Sequence, residues 1–185
     1  ASSNRLANVL DSRIEVGDRV AILLPQSLET AVSHIAAYKA GAIALPLFTL
    51  FGPDALKYRL QDSGAKVIIT NAEGARRISE MRSELVDLET VICTDGAIAG
   101  AHSFKELCAA APSEFQPRET LADDPALLIY TSGTTGNPKG ALHAHRLFQQ
   151  SSCTADAVLH ESNDDAPQPV SPSLFDYSST EQSST

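Results

Sequence analysis

Ala126-Leu-Leu-Ile-Tyr-Thr-Ser-Gly-Thr-Thr-Gly-Asn-Pro-Lys-Gly140 is the stretch around which the rest of this chain is read. Residues 126–130 form an apolar run of strand length, rich in branched and aromatic side chains, which predicts a buried strand. Thr131, Ser132, Gly133, Thr134, Thr135 and Gly136 then carry either a hydroxyl or no side chain at all. Glycines let a backbone turn tightly and bring its N–H groups close to a ligand. Successive N–H groups in such a turn make an anion-binding nest, and the four hydroxyls add donors. Lys139 supplies a mobile point charge suited to phosphate. The chemistry of the stretch is that of a polyphosphate cradle.

A Walker A loop would place Ser or Thr directly after Gly-Lys at the start of a helix. Here Lys139 precedes Gly140 instead. Residues 131–140 resemble, without a departure, the phosphate-binding signature Thr-Ser-Gly-Thr-Thr-Gly-x-Pro-Lys-Gly of the adenylate-forming (AMP-binding) enzymes. That family includes acyl-CoA synthetases, nonribosomal peptide adenylation domains and luciferases. Val16-Gly-Asp-Arg-Val-Ala-Ile22 and Tyr38-Lys-Ala-Gly-Ala-Ile-Ala-Leu-Pro-Leu47 look like further blocks of the family and belong to its scaffold. Their wording is most similar to acyl-CoA synthetases of the acetate or medium-chain kind.

Moving outward from the loop, apolar runs alternate with amphipathic stretches. Strands are expected at Arg19 to Leu24, Ala42 to Leu47, Lys66 to Thr70 and Thr90 to Thr94. Between them, Leu28, Ala31, Val32, Ile35 and Ala36 follow helical spacing behind a possible Ser27 cap. Gly52-Pro53 opens another helix, Asn71 caps a third, and Ser103-Phe-Lys-Glu106 has the form of a capping box. Leu6, Val9 and Leu10 predict a helix at the start, and a further short strand is expected from Gly140 to His143. Such alternation predicts an α/β fold: a mostly parallel sheet with helices on both faces. The resemblance implies the first subdomain of the adenylate-forming fold.

Composition sets the remaining bounds. The 185 residues carry a formal net charge of −9, which argues against nucleic acid or an anionic membrane surface as partner. No apolar run reaches the length of a membrane span. The three cysteines, Cys93, Cys108 and Cys153, show no metal-like spacing, so no metal ligands are assigned and a reduced, cytoplasmic protein is expected. Residues 1–150 are expected to form a partial AMP-binding domain with its phosphate loop at 130–140. Residues 151–185 hold six of the acidic residues, three prolines and no Lys or Arg. They read as an acidic Ser/Pro-rich tail of weak order that departs from the family pattern. Tyr177-Ser-Ser-Thr-Glu181 is similar to the family's Tyr-Gly-x-Thr-Glu metal-binding motif, but it lies too close to the loop and is read as coincidence. His143 and His145 are read as positional, and Asp123-Asp124 as a solvated turn.

The resemblance implies an AMP-forming acid–thiol ligase. A carboxylate attacks the α-phosphate of MgATP to give an acyl-adenylate and pyrophosphate, and a thiol such as CoA then takes the acyl group. Its implied cofactors are ATP and Mg²⁺, and its implied partners are a carboxylic acid and CoA. The implied site is Thr131, Ser132, Gly133, Thr134, Thr135, Gly136 and Lys139, with Lys139 as the catalytic cation. The family's ribose-binding aspartate, hinge and C-terminal lysine are not found, so an inactive fragment of a longer ligase is expected. A standalone ATP- or pyrophosphate-binding module and a non-catalytic α/β interaction domain are the alternatives.

Overall fold

Helix α1 (Ser2–Asp11) buries Leu6, Ala7, Val9 and Leu10 and starts the chain's packing against a sheet. The computed structural model describes residues 2–131 and 137–147. Four short strands follow in parallel: β1 (Arg19–Leu23), β2 (Ile43–Pro46), β3 (Val67–Thr70) and β4 (Thr90–Cys93). Helices α2 (Leu28–Lys39), α3 (Pro53–Ser63) and α4 (Ala72–Glu80) connect them. A two-residue strand β5 (His102–Ser103) leads into α5 (Phe104–Ala110), and β6 (Pro125–Thr131) and β7 (Lys139–Ala144) close the described chain. The sheet runs β5-β4-β3-β1-β2-β6-β7, parallel throughout except for the final β6–β7 pair.

The period of two in each strand sends alternate residues to opposite faces. Val20, Ile22, Ala44, Val67 and Ile69 meet α1, α2 and α5 on one face. Ala21, Leu23, Leu45, Ile68 and Val91 meet α3 and α4 on the other. The expected two-faced parallel sheet is therefore the observed architecture.

Local signals behave as their chemistry requires. Ser27 accepts from the Thr30 N–H and Asn71 from the Gly74 N–H, so both cap their helices. Pro53 opens α3, and Gly64 ends it in the left-handed region at φ +59°. Ser103 accepts from the Glu106 N–H. Three expectations shift. The helix that Asn71 caps, α4, ends at Glu80 in place of running on, and the buried Met81 and Leu85 flank a 3₁₀ turn at Arg82–Glu84. The strand after the loop is longer than expected and pairs antiparallel with β6. And β6 is not fully buried: only Ala126 is, because a single strand lies beyond it at the sheet edge.

Candidate functional site

The two ends of the candidate loop are neighbours across a hairpin. β6 and β7 run in register from Leu127↔His143 through Tyr130↔Gly140 to Thr131↔Lys139. Thr131, the first hydroxyl, thus lies directly opposite Lys139, the expected cation. Both are exposed, and Lys139 has no ion-pair partner among the described residues. A strand-paired lysine without a carboxylate at the mouth of a turn fits an anionic ligand. Ser132, Gly133, Thr134, Thr135 and Gly136 lie outside the described residues.

Topology explains where this mouth sits. Because β6 is parallel to β2, Thr131 lies at the carboxyl edge of the sheet, with the ends of β1 to β4. From β1 the chain departs into α2 on one face, and from β2 into α3 on the other. Ligands of open α/β sheets bind in the crevice that opens where successive connections part in this way. A cleft of ≈ 440 Å³ occupies that place, with Leu24, Gln26, His34, Phe48, Phe51 and Tyr130 among its walls. None of the described residues lining it is Lys or Arg, so these walls suit an uncharged apolar group better than a phosphate. No single-residue pattern reveals this cleft in the sequence, because two loops from opposite sides of the sheet build it.

Behind it stands a short aromatic row. His34 Nδ1 lies 3.3 Å from the Tyr38 hydroxyl, and the His145 ring meets Tyr38 edge-on at 6.1 Å. Burial pushes the His34 imidazole below its ordinary pKa and the Tyr38 phenol up to about 12. His145 Nε2 is buried with no hydrogen-bond partner among the described residues. His145 therefore packs beside α2, while His143 is a strand residue opposite Leu127. Among the described residues no cluster of three His, Cys, Asp or Glu side chains is arranged to hold a metal. Asp124 accepts from the Leu121 N–H and Asp123 pairs with Arg146, so this acidic doublet serves a turn.

The family model of the AMP-binding enzymes matches residues 1–181. The chain belongs to this family. The match runs past Gln150 and ends at Glu181, so the segment expected to leave the AMP-binding pattern lies inside the matched range. Among curated relatives, the acetyl-coenzyme A synthetase of Halorhodospira halophila is 38% identical over 157 residues, covering 76% of this chain and 24% of its own length. The long-chain-fatty-acid–CoA ligase FadD13 of Mycobacterium tuberculosis is 40% identical over 146 residues, covering 78% of this chain and 28% of its own length. The chain thus spans about a quarter of the length of these AMP-binding relatives. Among solved structures, the anthranilate CoA ligase AuaEII in complex with anthranoyl-AMP superposes with a TM-score of 0.79 at 31% identity, over 82% of this chain and 30% of the ligase. No described helix is long and apolar enough to cross a membrane.

Proposed function

We propose that residues 131–139 hold the polyphosphate of ATP in the adenylation step of an acid–thiol ligase, and that this chain is one part of such an enzyme. The observation that carries the reading is the hairpin register, which sets Lys139 opposite Thr131 at the mouth of a loop of hydroxyls and glycines. The acyl-adenylate held by the similar anthranilate CoA ligase supports the reaction class.

In this reading Lys139 neutralises charge on the β- and γ-phosphates. The hydroxyls of Thr131, Ser132, Thr134 and Thr135 donate to their oxygens, as do the backbone N–H groups at Gly133 and Gly136. All of these donors strengthen as charge builds on the departing pyrophosphate. One such pre-organised donor is worth roughly 3–4 kcal/mol of barrier. Mg²⁺, when bound, would screen the negative charge of the phosphates. Among the described residues no cluster of three His, Cys, Asp or Glu side chains is placed to hold it, and none of them is assigned to it. The same holds for the ribose contacts, the carboxylic acid and CoA. Aligning the acid on the α-phosphorus accounts for about 7–11 kcal/mol, and no residue of this chain is assigned to that task. We further assign residues 1–150 to a partial AMP-binding domain with its phosphate loop at 130–140, followed by an acidic Ser/Pro-rich tail at 151–185 into which the family match extends as far as residue 181.

ATP–pyrophosphate exchange over a panel of carboxylic acids, together with calorimetric binding of MgATP, tests this. The expected result is no acid-dependent exchange and weak ATP binding that falls about tenfold in Lys139→Ala. Acid-dependent exchange that vanishes in Lys139→Ala would mean a complete active site and overturn the partial-site reading. Equal ATP binding by both proteins would remove Lys139 from the cradle.

A further inference from the structure

Helix α3 grips the hairpin strand that delivers the loop. Tyr130, the residue before Thr131, donates its hydroxyl to Asp62 Oδ2 at 2.5 Å. Tyr58 donates to the other oxygen of the same carboxylate at 3.4 Å, and the two phenol rings meet edge to face at 6.4 Å. The Arg59 guanidinium lies 4.0 Å from the centre of the Phe51 ring and 5.6 Å from that of Tyr130. On the facing strand, Gly140 is the register partner of Tyr130. A Cβ there would stand 2.9 Å from Leu128 Cδ1 and 3.4 Å from Tyr130 Cζ, so the glycine lets the Leu128 tip and the Tyr130 ring lie close over this backbone.

This arrangement is costly. Arg59 is 7% exposed, its Nη1 donates to the Ala55 carbonyl at 2.7 Å, and its Nε finds no partner among the described residues. A buried, incompletely bonded charge lowers stability, and a stacked aromatic face returns only part of that loss. An aliphatic side chain would fill the same space without the cost. What Arg59 and Asp62 each add is direction: a face contact from one and a charge-assisted hydrogen bond from the other together fix the ring in position and rotation. Because Thr131 is the next residue along the strand, fixing Tyr130 fixes the first donor of the loop. Donors aimed at phosphate lose their effect when displaced by a fraction of an ångström.

We propose that Asp62, assisted by Arg59, is a positioning residue for the phosphate loop, acting through Tyr130 to hold Thr131 where it meets the polyphosphate. This rests on the reading of 131–139 as a phosphate cradle. A residue that merely stabilised the fold would lower the melting temperature but leave the affinity of the folded protein unchanged.

The test is calorimetric titration of the full chain with magnesium pyrophosphate, comparing wild type, Lys139→Ala, Tyr130→Phe, Asp62→Asn, the Tyr130→Phe/Asp62→Asn double variant and Tyr58→Phe. Tyr130→Phe and Asp62→Asn should each weaken binding about fivefold. The double variant should be no weaker than the worse single, because both remove one coupled interaction. Tyr58→Phe, which leaves the Tyr130 bond intact, should bind as wild type. Normal binding by Tyr130→Phe and Asp62→Asn, with binding reduced in Lys139→Ala, would overturn the proposal while keeping the cradle. Absence of binding in the wild type would overturn the cradle and the proposal with it. Amide exchange at Thr131 and Gly140 gives a ligand-free readout: faster exchange in Asp62→Asn than in Tyr58→Phe supports the grip, and equal exchange overturns it.

Discussion

At Gly74 the chain has no room for a side chain. A Cβ there would fall 1.8 Å from Thr70 Oγ1 and 3.2 Å from Leu23 Cδ2, and that hydroxyl is itself buried and donating to the Leu23 carbonyl at 2.9 Å. Gly74→Ala must push α4 off the sheet or break this bond, with an expected loss of about 1–3 kcal/mol. Urea unfolding measures it, and an unchanged midpoint would refute the packing account. His34 makes a second case. Burial lowers its pKa, so the unfolded chain binds more protons than the folded one below neutrality. The stability it contributes is complete above the ordinary imidazole value of 6.5 and is lost as pH falls from there through the lower folded-state value. Between pH 7.5 and 5, His34→Gln should therefore lose less stability than wild type. An identical pH dependence in the two proteins would show that this ring does not titrate with unfolding.

Elements here are held by their ends. Asn71 Oδ1 accepts from the Gly74 N–H at 2.9 Å, whereas Ser27 Oγ accepts from Thr30 at 3.3 Å on an exposed surface. Asn71→Ala should cost about 1 kcal/mol and Ser27→Ala distinctly less, since an N-cap counts only as far as its hydrogen bond is well made. Chemical denaturation of the two variants under one condition decides the order, and equal losses would contradict it. At the opposite pole of a helix, Arg5 Nη1 lies within reach of the Cys108, Ala109 and Ala111 carbonyls, at 3.1, 3.2 and 2.6 Å. It satisfies acceptors left open where α5 ends and ties that helix to α1. Arg5→Ala should loosen α5 locally, read as faster amide exchange in 104–110 with β1 unaffected. Unchanged exchange there would mean that apolar packing alone seats α5.

Across the whole molecule, β1, like β3, has a parallel partner on each side and helices covering both faces. Opening it requires breaking both core clusters, so native-state exchange should be slowest in β1 and β3 and fastest in β5 and β7 at the two sheet edges. Protection of β7 equal to that of β1 would overturn this ranking. The sequence alone determined what short-range chemistry controls: which runs become strands or helices, and that Ser27, Asn71 and Ser103 cap. These depend on periodicity and on neighbours three or four residues away, which a single chain displays directly. Tertiary structure decided what long-range contact controls. The place of β6 one strand in from the sheet edge left it half buried rather than buried, and the turn of β7 back along it set Lys139 against Thr131. The cleft at the strand ends formed from loops 20 residues and more apart, and Asp62 reached Tyr130 from 68 positions away. No local pattern encodes such meetings, because they follow from strand order and register, which the burial of both sheet faces selects.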